Sequence, residues 1–263
     1  MPTNGDRRPP LPDPNATTIA ITGARCLKAI ILAGGLLTES LAQETGRQWR
    51  CELPYKGRQF LDIVLDAMPD EVTVIGGPPR HDVEWREGGD RFIESFARGV
   101  QAGGKDRFLM ASADLPFLTR ESVMSFVGED DQSSAIRYPI VEMGTMRGAY
   151  GNMPRTTLKL REGEFTGGNL FLVDGQAMEA ILPRMQRAYE ARKNVLKLGQ
   201  LLGFPTLLSL VKAKVFPGTV GIPQLETHVG KALRAKVRAV ISTYPELAAD
   251  IDSPEHFAWL KTL

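Results

Sequence analysis

Apolar and polar positions follow two alternating rhythms along most of the chain. Lys28-Ala29-Ile30-Ile31-Leu32-Ala33 is a short, almost continuously apolar run ended by Gly34-Gly35, as a strand buried on both faces requires. Phe60–Met68 has helical spacing and stops at Pro69. Glu71–Ile75 is β-branched and closed by Gly76-Gly77-Pro78-Pro79, which predicts the next strand. Arg91–Ala102 puts Phe92, Ile93, Phe96, Ala97 and Val100 on one helical face, and Arg107–Ser112 predicts a third buried strand. Thr119 suits the cap of a helix whose first turn carries Glu121. Strands alternating with helices predict a mostly parallel sheet covered on both faces.

The second half is less regular. Ser134–Pro139 and Thr156–Leu160 read as strands, the antiparallel part of a mixed sheet, and Asn169–Val173 as a strong strand followed by a helix from about Gln176. Residues 189–232 read as mostly helical and contain the apolar stretch Leu201–Val211, broken by Gly203 and Pro205. Val237–Ile241 reads as a late strand and Pro254–Leu263 as a terminal helix. The expectation is one α/β domain over residues 27–263 with a helical insertion at 189–232. Residues 1–26 hold five prolines and no apolar segment. Such a leader cannot offset its ordering entropy, so disorder or a loosely docked arm is expected there.

Composition narrows the function classes. Lys and Arg total 32 against 31 Asp and Glu, so no basic field exists to hold a nucleic-acid backbone. Two cysteines, Cys26 and Cys51, cannot build a disulfide framework and predict a reducing, cytoplasmic setting. His81, His228 and His256 share no metal-ligand spacing with one another or with the cysteines, which argues against zinc. Cys51, between Arg50 and Glu52, has no identifiable partner base. Monomer and homodimer both remain open.

In open α/β sheets ligands bind beyond the carboxyl ends of the strands. Three segments fall there. Leu32-Ala33-Gly34-Gly35 can bring backbone N–H groups up to a phosphate or base, or can simply be a tight turn. Asp114, just past a buried strand, is a metal ligand or a helix cap; Thr119 already suits the cap, which favours the metal. Gly167-Gly168-Asn169 can hold a polar substrate, or can be a bulge or hairpin turn.

Together the segments resemble a known group. Lys28–Gly35 (KAIILAGG), Leu53–Leu61 (LPYKGRQFL), Ala111–Thr119 (ASADLPFLT), Phe165–Val173 (FTGGNLFLV) and Asp250–Glu255 (DIDSPE) are similar, in order and spacing, to the nucleotidyltransferases of the sugar-nucleotide and molybdenum-cofactor guanylyltransferase type. The resemblance spans residues 28–263. It implies a Rossmann-like, GT-A-like three-layer fold. It also implies transfer of a nucleoside monophosphate from an NTP, with GTP or CTP favoured, onto a phosphorylated acceptor, with Mg²⁺ as cofactor and pyrophosphate released. It assigns Leu32, Ala33, Gly34 and Gly35 to the nucleotide, Asp114 and Asp252 to the metal, Gly168 and Asn169 to the acceptor, and Gly89 to the base or ribose pocket. Arg50 stands where relatives carry a lysine and takes over its work on the phosphates, while Glu39 stands where a cation is common.

The resemblance suits the chemistry, because attack on an α-phosphate needs charge neutralisation and in-line positioning more than covalent help. Leu36–Gly57 is expected to be a mobile loop that orders on the nucleotide. Arg192 and Lys193, with Lys197, Lys212 and Lys214, border the apolar positions of the insertion. Such a basic amphipathic surface packs in a core or dimer, lies on an anionic membrane, or reaches an anionic acceptor. Two rivals remain at this point: a glycosyltransferase of related fold, for which Ser112-Ala113-Asp114 lacks the first acid of an Asp-x-Asp pair, and a nucleotide-binding module without turnover.

Overall fold

A computed structural model describes residues 27–191 and 218–263. The run Lys28–Leu32 is the central strand β1, and its period-2 alternation sends Ala29 and Ile31 to one face and Ile30 to the other. Beyond it come α1 (Glu39–Thr45), a 3₁₀ turn at Arg50–Glu52, the hairpin β2 (Pro54–Tyr55) and β3 (Arg58–Gln59), and α2 (Phe60–Ala67). Then follow β4 (Glu71–Ile75), β5 (Glu84–Arg86), α3 (Phe92–Gly103), β6 (Arg107–Ser112) and α4 (Arg120–Gly128). The second half holds β7 (Ile136–Glu142), α5 (Met143–Tyr150), β8 (Leu158–Leu160), β9 (Gly163–Gly167), β10 (Leu170–Asp174) and α6 (Gly175–Ala191). The last described elements are α7 (Ile222–Leu233), β11 (Val237–Ser242), a 3₁₀ turn at Pro245–Ala248 and α8 (Pro254–Leu260).

One mixed sheet runs β5-β4-β1-β6-β10-β7-β9-β8, with β11 on the far side of β7. β1 is parallel to both β4 and β6, and β10 is antiparallel to β6 and β7. Helices α2 and α4 cover one face, through Leu61, Val64, Val123 and Phe126 on Ala29, Ile31, Val74 and Leu109. Helices α3 and α6 cover the other, through Ile93, Phe96, Val100, Met178 and Ile181 on Ile30, Phe108 and Met110. This is the three-layer, mostly parallel α/β arrangement expected.

β9 and β10 are two lengths of one path along β7, separated by Gly168-Asn169. The break is built into the backbone. The Gly168 N–H donates to Pro139 O at 2.8 Å, and a Cβ on Gly168 would sit 2.7 Å from Pro139 Cγ and 2.9 Å from Leu247 O. Only glycine allows that approach.

A separate apolar cluster holds Leu41 of α1, Leu53 and Phe60 against Met143 and Met146 of α5, Ile251, and Phe257 and Leu260 of α8. It carries the C-terminal segment back to the carboxyl ends of the central strands. The stretch Leu36–Gly57, expected as a loop, carries α1, the 3₁₀ turn and β2. Leu37 N–H donates to Gln48 O at 3.0 Å and Arg50 N–H to Gly35 O at 2.8 Å, which closes α1 into a return path. The Glu52 carboxylate accepts from the N–H groups of Gln48 and Trp49. Of the expected insertion, α6 runs to Ala191 and Ile222–Leu233 is helical, whereas Thr219–Gly221 is not; Arg192 and Lys193 lie outside the described residues. The Pro-rich leader 1–26 lies outside them as well.

Candidate active site

The carboxyl ends of β1, β4 and β6 and the start of β10 meet at one rim. Ala33 N–H donates to Ile75 O, Ala113 N–H to Leu32 O, and Ser112 N–H to Asn169 O, at 2.9, 3.1 and 3.0 Å. These bonds extend the ladders past the strands, so Gly34-Gly35, Asp114 and Asn169 leave the sheet side by side. Gly34 is flanked by Gly76, whose φ is +80° and whose Cβ would stand 2.9 Å from Gly34 Cα. Two bare backbones thus pass in contact, an approach that glycine at both places allows.

Gly89 stands on the same flank, but Ser95 engages it: Gly89 N–H donates to Ser95 Oγ at 3.0 Å, and the hydroxyl lies 3.3 Å from Gly89 O. Ser95 fixes this loop by engaging both the N–H and the carbonyl of half-buried Gly89.

Arg50 lies along Gly35. Its Cδ is 3.4 Å from where a Gly35 Cβ would be, its Nε donates to Leu36 O at 3.3 Å, and its Nη1 donates to Asp114 Oδ2 at 3.3 Å. The Ser112 hydroxyl donates to the other Asp114 oxygen, Oδ1. Asp114 is buried, and that burial, reinforced by the charge of Asp250, pushes its pKa up to about 6 against the pull of Ser112 and Arg50.

The chain of the C-terminal segment is tied to the same point, since Ile251 N–H donates to Asp114 O at 2.9 Å. Ile251 is buried in the second core, with Asp250 and Asp252 on either side of it in the chain. Asp250 is buried and held by Arg155 Nη1 at 2.6 Å and Asn169 Nδ2 at 2.7 Å, both on Oδ1. Arg155 also donates to Thr166 Oγ1 at 3.4 Å, and its side chain is 8% exposed. Asp252 is exposed and pairs with His256 Nδ1 at 2.8 Å. The hydrogen bond between them lowers the Asp252 pKa and raises that of His256. Ligand atoms of Asp250, Asp252 and His256 all lie within 4.8 Å of one another.

Among the residues expected at the site, Leu32–Gly35, Arg50, Asp114, Gly168, Asn169 and Asp252 converge on this rim. The Asn169 amide nitrogen gives one of its two N–H groups to Asp250. Asp250, Arg155 and His256 were not anticipated. Asp-x-Asp spacing and the Asp252–His256 interval of four were signals in the sequence; Arg155 left none. Glu39 is exposed in the first turn of α1, where an acid favours the helix dipole. Cys51 is buried, and burial ahead of the charges of Glu52 and Asp114 pushes its thiol up to about 12, so it is no nucleophile.

The donor set suits a hard divalent cation: carboxylate oxygens with one imidazole beside them, and no thiolate. Three acids, Arg50, Arg155 and His256 lie together at the end of a sheet, which is a charge-balanced setting for a polyphosphate and its metal.

No family model matches the chain, and no curated protein does. Among solved structures, a hypothetical transferase from Thermus thermophilus is 30% identical, with a TM-score of 0.77 over 88% of this chain and 99% of that one. A nucleotidyl transferase from Methanothermobacter aligns at 17% identity and TM-score 0.51, over 91% of this chain and all 100% of that one. A 4-diphosphocytidyl-2C-methyl-D-erythritol synthase from Anaerococcus prevotii aligns at 13% and 0.54, over 90% and 94%. The last two share the fold. With the Thermus relative matched almost end to end, the chain belongs to one family with that transferase, and its fold is the one seen in nucleotidyltransferases.

Proposed function

We propose that this chain transfers a nucleoside monophosphate from an NTP to a phosphorylated small-molecule acceptor. The observation that carries the reading is the meeting of the Gly34-Gly35 backbone, a cation lying along it and buried acids at one sheet rim. Leu32–Gly35 would bind the nucleotide, with the Gly34 and Gly35 N–H groups toward the phosphates and the loop of Gly76 and Gly89 toward the base. Arg50 would carry charge on the triphosphate. Gly168 and Asn169 would border the acceptor, and GTP or CTP would be the donor.

Asp114 and Asp252, with Asp250 beside them, would hold Mg²⁺, which when bound would neutralise phosphate charge that the chain's own cations leave uncompensated. Everything else falls to the protein. Arg50 orients the triphosphate along Gly34-Gly35 so that the pyrophosphate points away from the acceptor. Transfer requires an acceptor phosphate oxygen in line with the α-phosphorus, a position that would lie beside Gly168 and Asn169. A new P–O bond then forms as the bond from the α-phosphorus to the bridging oxygen breaks, and pyrophosphate leaves with that electron pair. An acceptor phosphate is already deprotonated at neutral pH, so no general base is needed.

The test is pyrophosphate release from each NTP with a panel of phosphorylated sugars, polyols and pterins. Turnover with one donor and one acceptor, lost in Asp114→Ala, supports the reading. Hydrolysis of a nucleotide-sugar without any NTP-dependent pyrophosphate release would replace it with glycosyl transfer.

A further inference from the structure

Both oxygens of Asp114 are engaged within the chain: Oδ1 by the Ser112 hydroxyl and Oδ2 by Arg50. Arg50 is itself anchored. Its N–H is held by Gly35 O at 2.8 Å, its Nε by Leu36 O at 3.3 Å, and its stem lies along Gly35. The guanidinium therefore covers two places at once: the Gly34-Gly35 backbone proposed for the phosphates and the carboxylate oxygen proposed for the cation.

We propose that Arg50 makes cation and triphosphate binding conditional on each other, by serving as the counter-ion of Asp114 until a polyphosphate takes it. The inference rests on the nucleotidyl-transfer reading and adds the form in which the donor is accepted, cation and triphosphate together. The contact is suited to exchange. At 3.3 Å through one nitrogen it is a long, single hydrogen bond, and the Arg50 side chain is 33% exposed. A polyphosphate offers the same guanidinium shorter, bidentate bonds. A cation arriving alone meets a permanently charged guanidinium on its ligand, with Arg155 close behind on Asp250. A polyphosphate arriving alone pulls Arg50 away and leaves Asp114 and Asp250 facing each other without it. Each ligand thus removes the obstacle to the other, and linkage requires the benefit to be reciprocal.

The test uses Mn²⁺ and inorganic tripolyphosphate, each titrated separately by calorimetry into wild type, Arg50→Gln and Arg50→Lys. In Arg50→Gln the affinity for Mn²⁺ alone should rise about tenfold, while that for tripolyphosphate alone should fall about tenfold or more. Arg50→Lys keeps the charge and should stay within about threefold of wild type for Mn²⁺. Opposite signs in one variant separate this from a structural role, which would weaken both. Should the glutamine variant melt early, Arg50→Met keeps the stem over Gly35 and carries the same prediction. Mn²⁺ affinity unchanged or lower in the charge-removing variants overturns the inference while leaving nucleotidyl transfer standing. Failure of the wild type to bind tripolyphosphate or any NTP with Mn²⁺ present overturns both.

Discussion

Asp114→Asn should make the protein more stable at pH 8 and useless to a cation. A carboxyl whose folded pKa is raised keeps its proton better in the folded chain than in the unfolded one. Its contribution to stability is present in full below about 3.8 and is lost as pH rises through the folded value of about 6. The gap between those values is worth about 3 kcal/mol, the most that neutralising the position can return. Asparagine keeps the local bonds. Its Oδ1 can accept from Arg50 while its Nδ2 donates to the Ser112 hydroxyl, which accepts as readily as it donates. For a chain of this size the gain corresponds to roughly 5–10 °C in Tm. The assay is urea unfolding followed by tryptophan fluorescence, wild type beside variant, at pH 4.5 and pH 8. Comparing the pair at each pH cancels the other titrating groups. The variant should be more stable at pH 8, by up to about 3 kcal/mol, and should lose most of that lead at pH 4.5. A variant less stable at pH 8, or an equal offset at both pH values, would refute the reasoning.

Other perturbations test the supports of the site. Gly168→Ala should cost about 2 kcal/mol or more, since its Cβ meets Leu247 O and Pro139 at 2.9 and 2.7 Å, and should lower the urea midpoint with the slope unchanged. Arg155→Met leaves Asp250 to Asn169 alone and should destabilise by about 3 kcal/mol in the same assay. His256 titrates above its ordinary 6.5 because Asp252 holds it, so its contribution is present at low pH and lost as pH rises through the folded value. Asp252→Asn should bring the His256 titration down in an imidazole NMR experiment, and no movement would dissolve the pair.

The central strands were legible because they are buried on both faces: Lys28–Leu32, Glu71–Ile75 and Arg107–Ser112 carry their own apolar runs between glycine or polar stops. What escaped notice is held by contacts distant in sequence. Helix α1 buries only Leu41, and its place is set by the Leu37–Gln48 and Gly35–Arg50 bonds. Helix α5 contains Gly144 and Gly148, poor helix formers, and depends on Met143 and Met146 reaching the second core. Strand β7 runs through Pro139 to Glu142 instead of stopping there, because the break beside it at Gly168 turns Pro139 to use as an acceptor. At the site, Asp114 and Asp252 were legible from their motifs. Arg155 was not, because its partner Asp250 lies 95 residues away.

On the proposed function, this rim takes a nucleoside triphosphate together with a divalent cation. A thermal-shift panel of ATP, CTP, GTP, UTP and dTTP, each with and without Mg²⁺ and with Asp114→Ala beside the wild type, addresses it most directly. A ligand at about 100 times its Kd stabilises by roughly 2.7 kcal/mol, which is readily seen as a rise in Tm. One nucleotide, GTP or CTP, should stand out, its effect should need Mg²⁺, and Asp114→Ala should abolish it. Melting curves unmoved by any triphosphate, or moved equally with and without Mg²⁺ in both proteins, would contradict the proposed function.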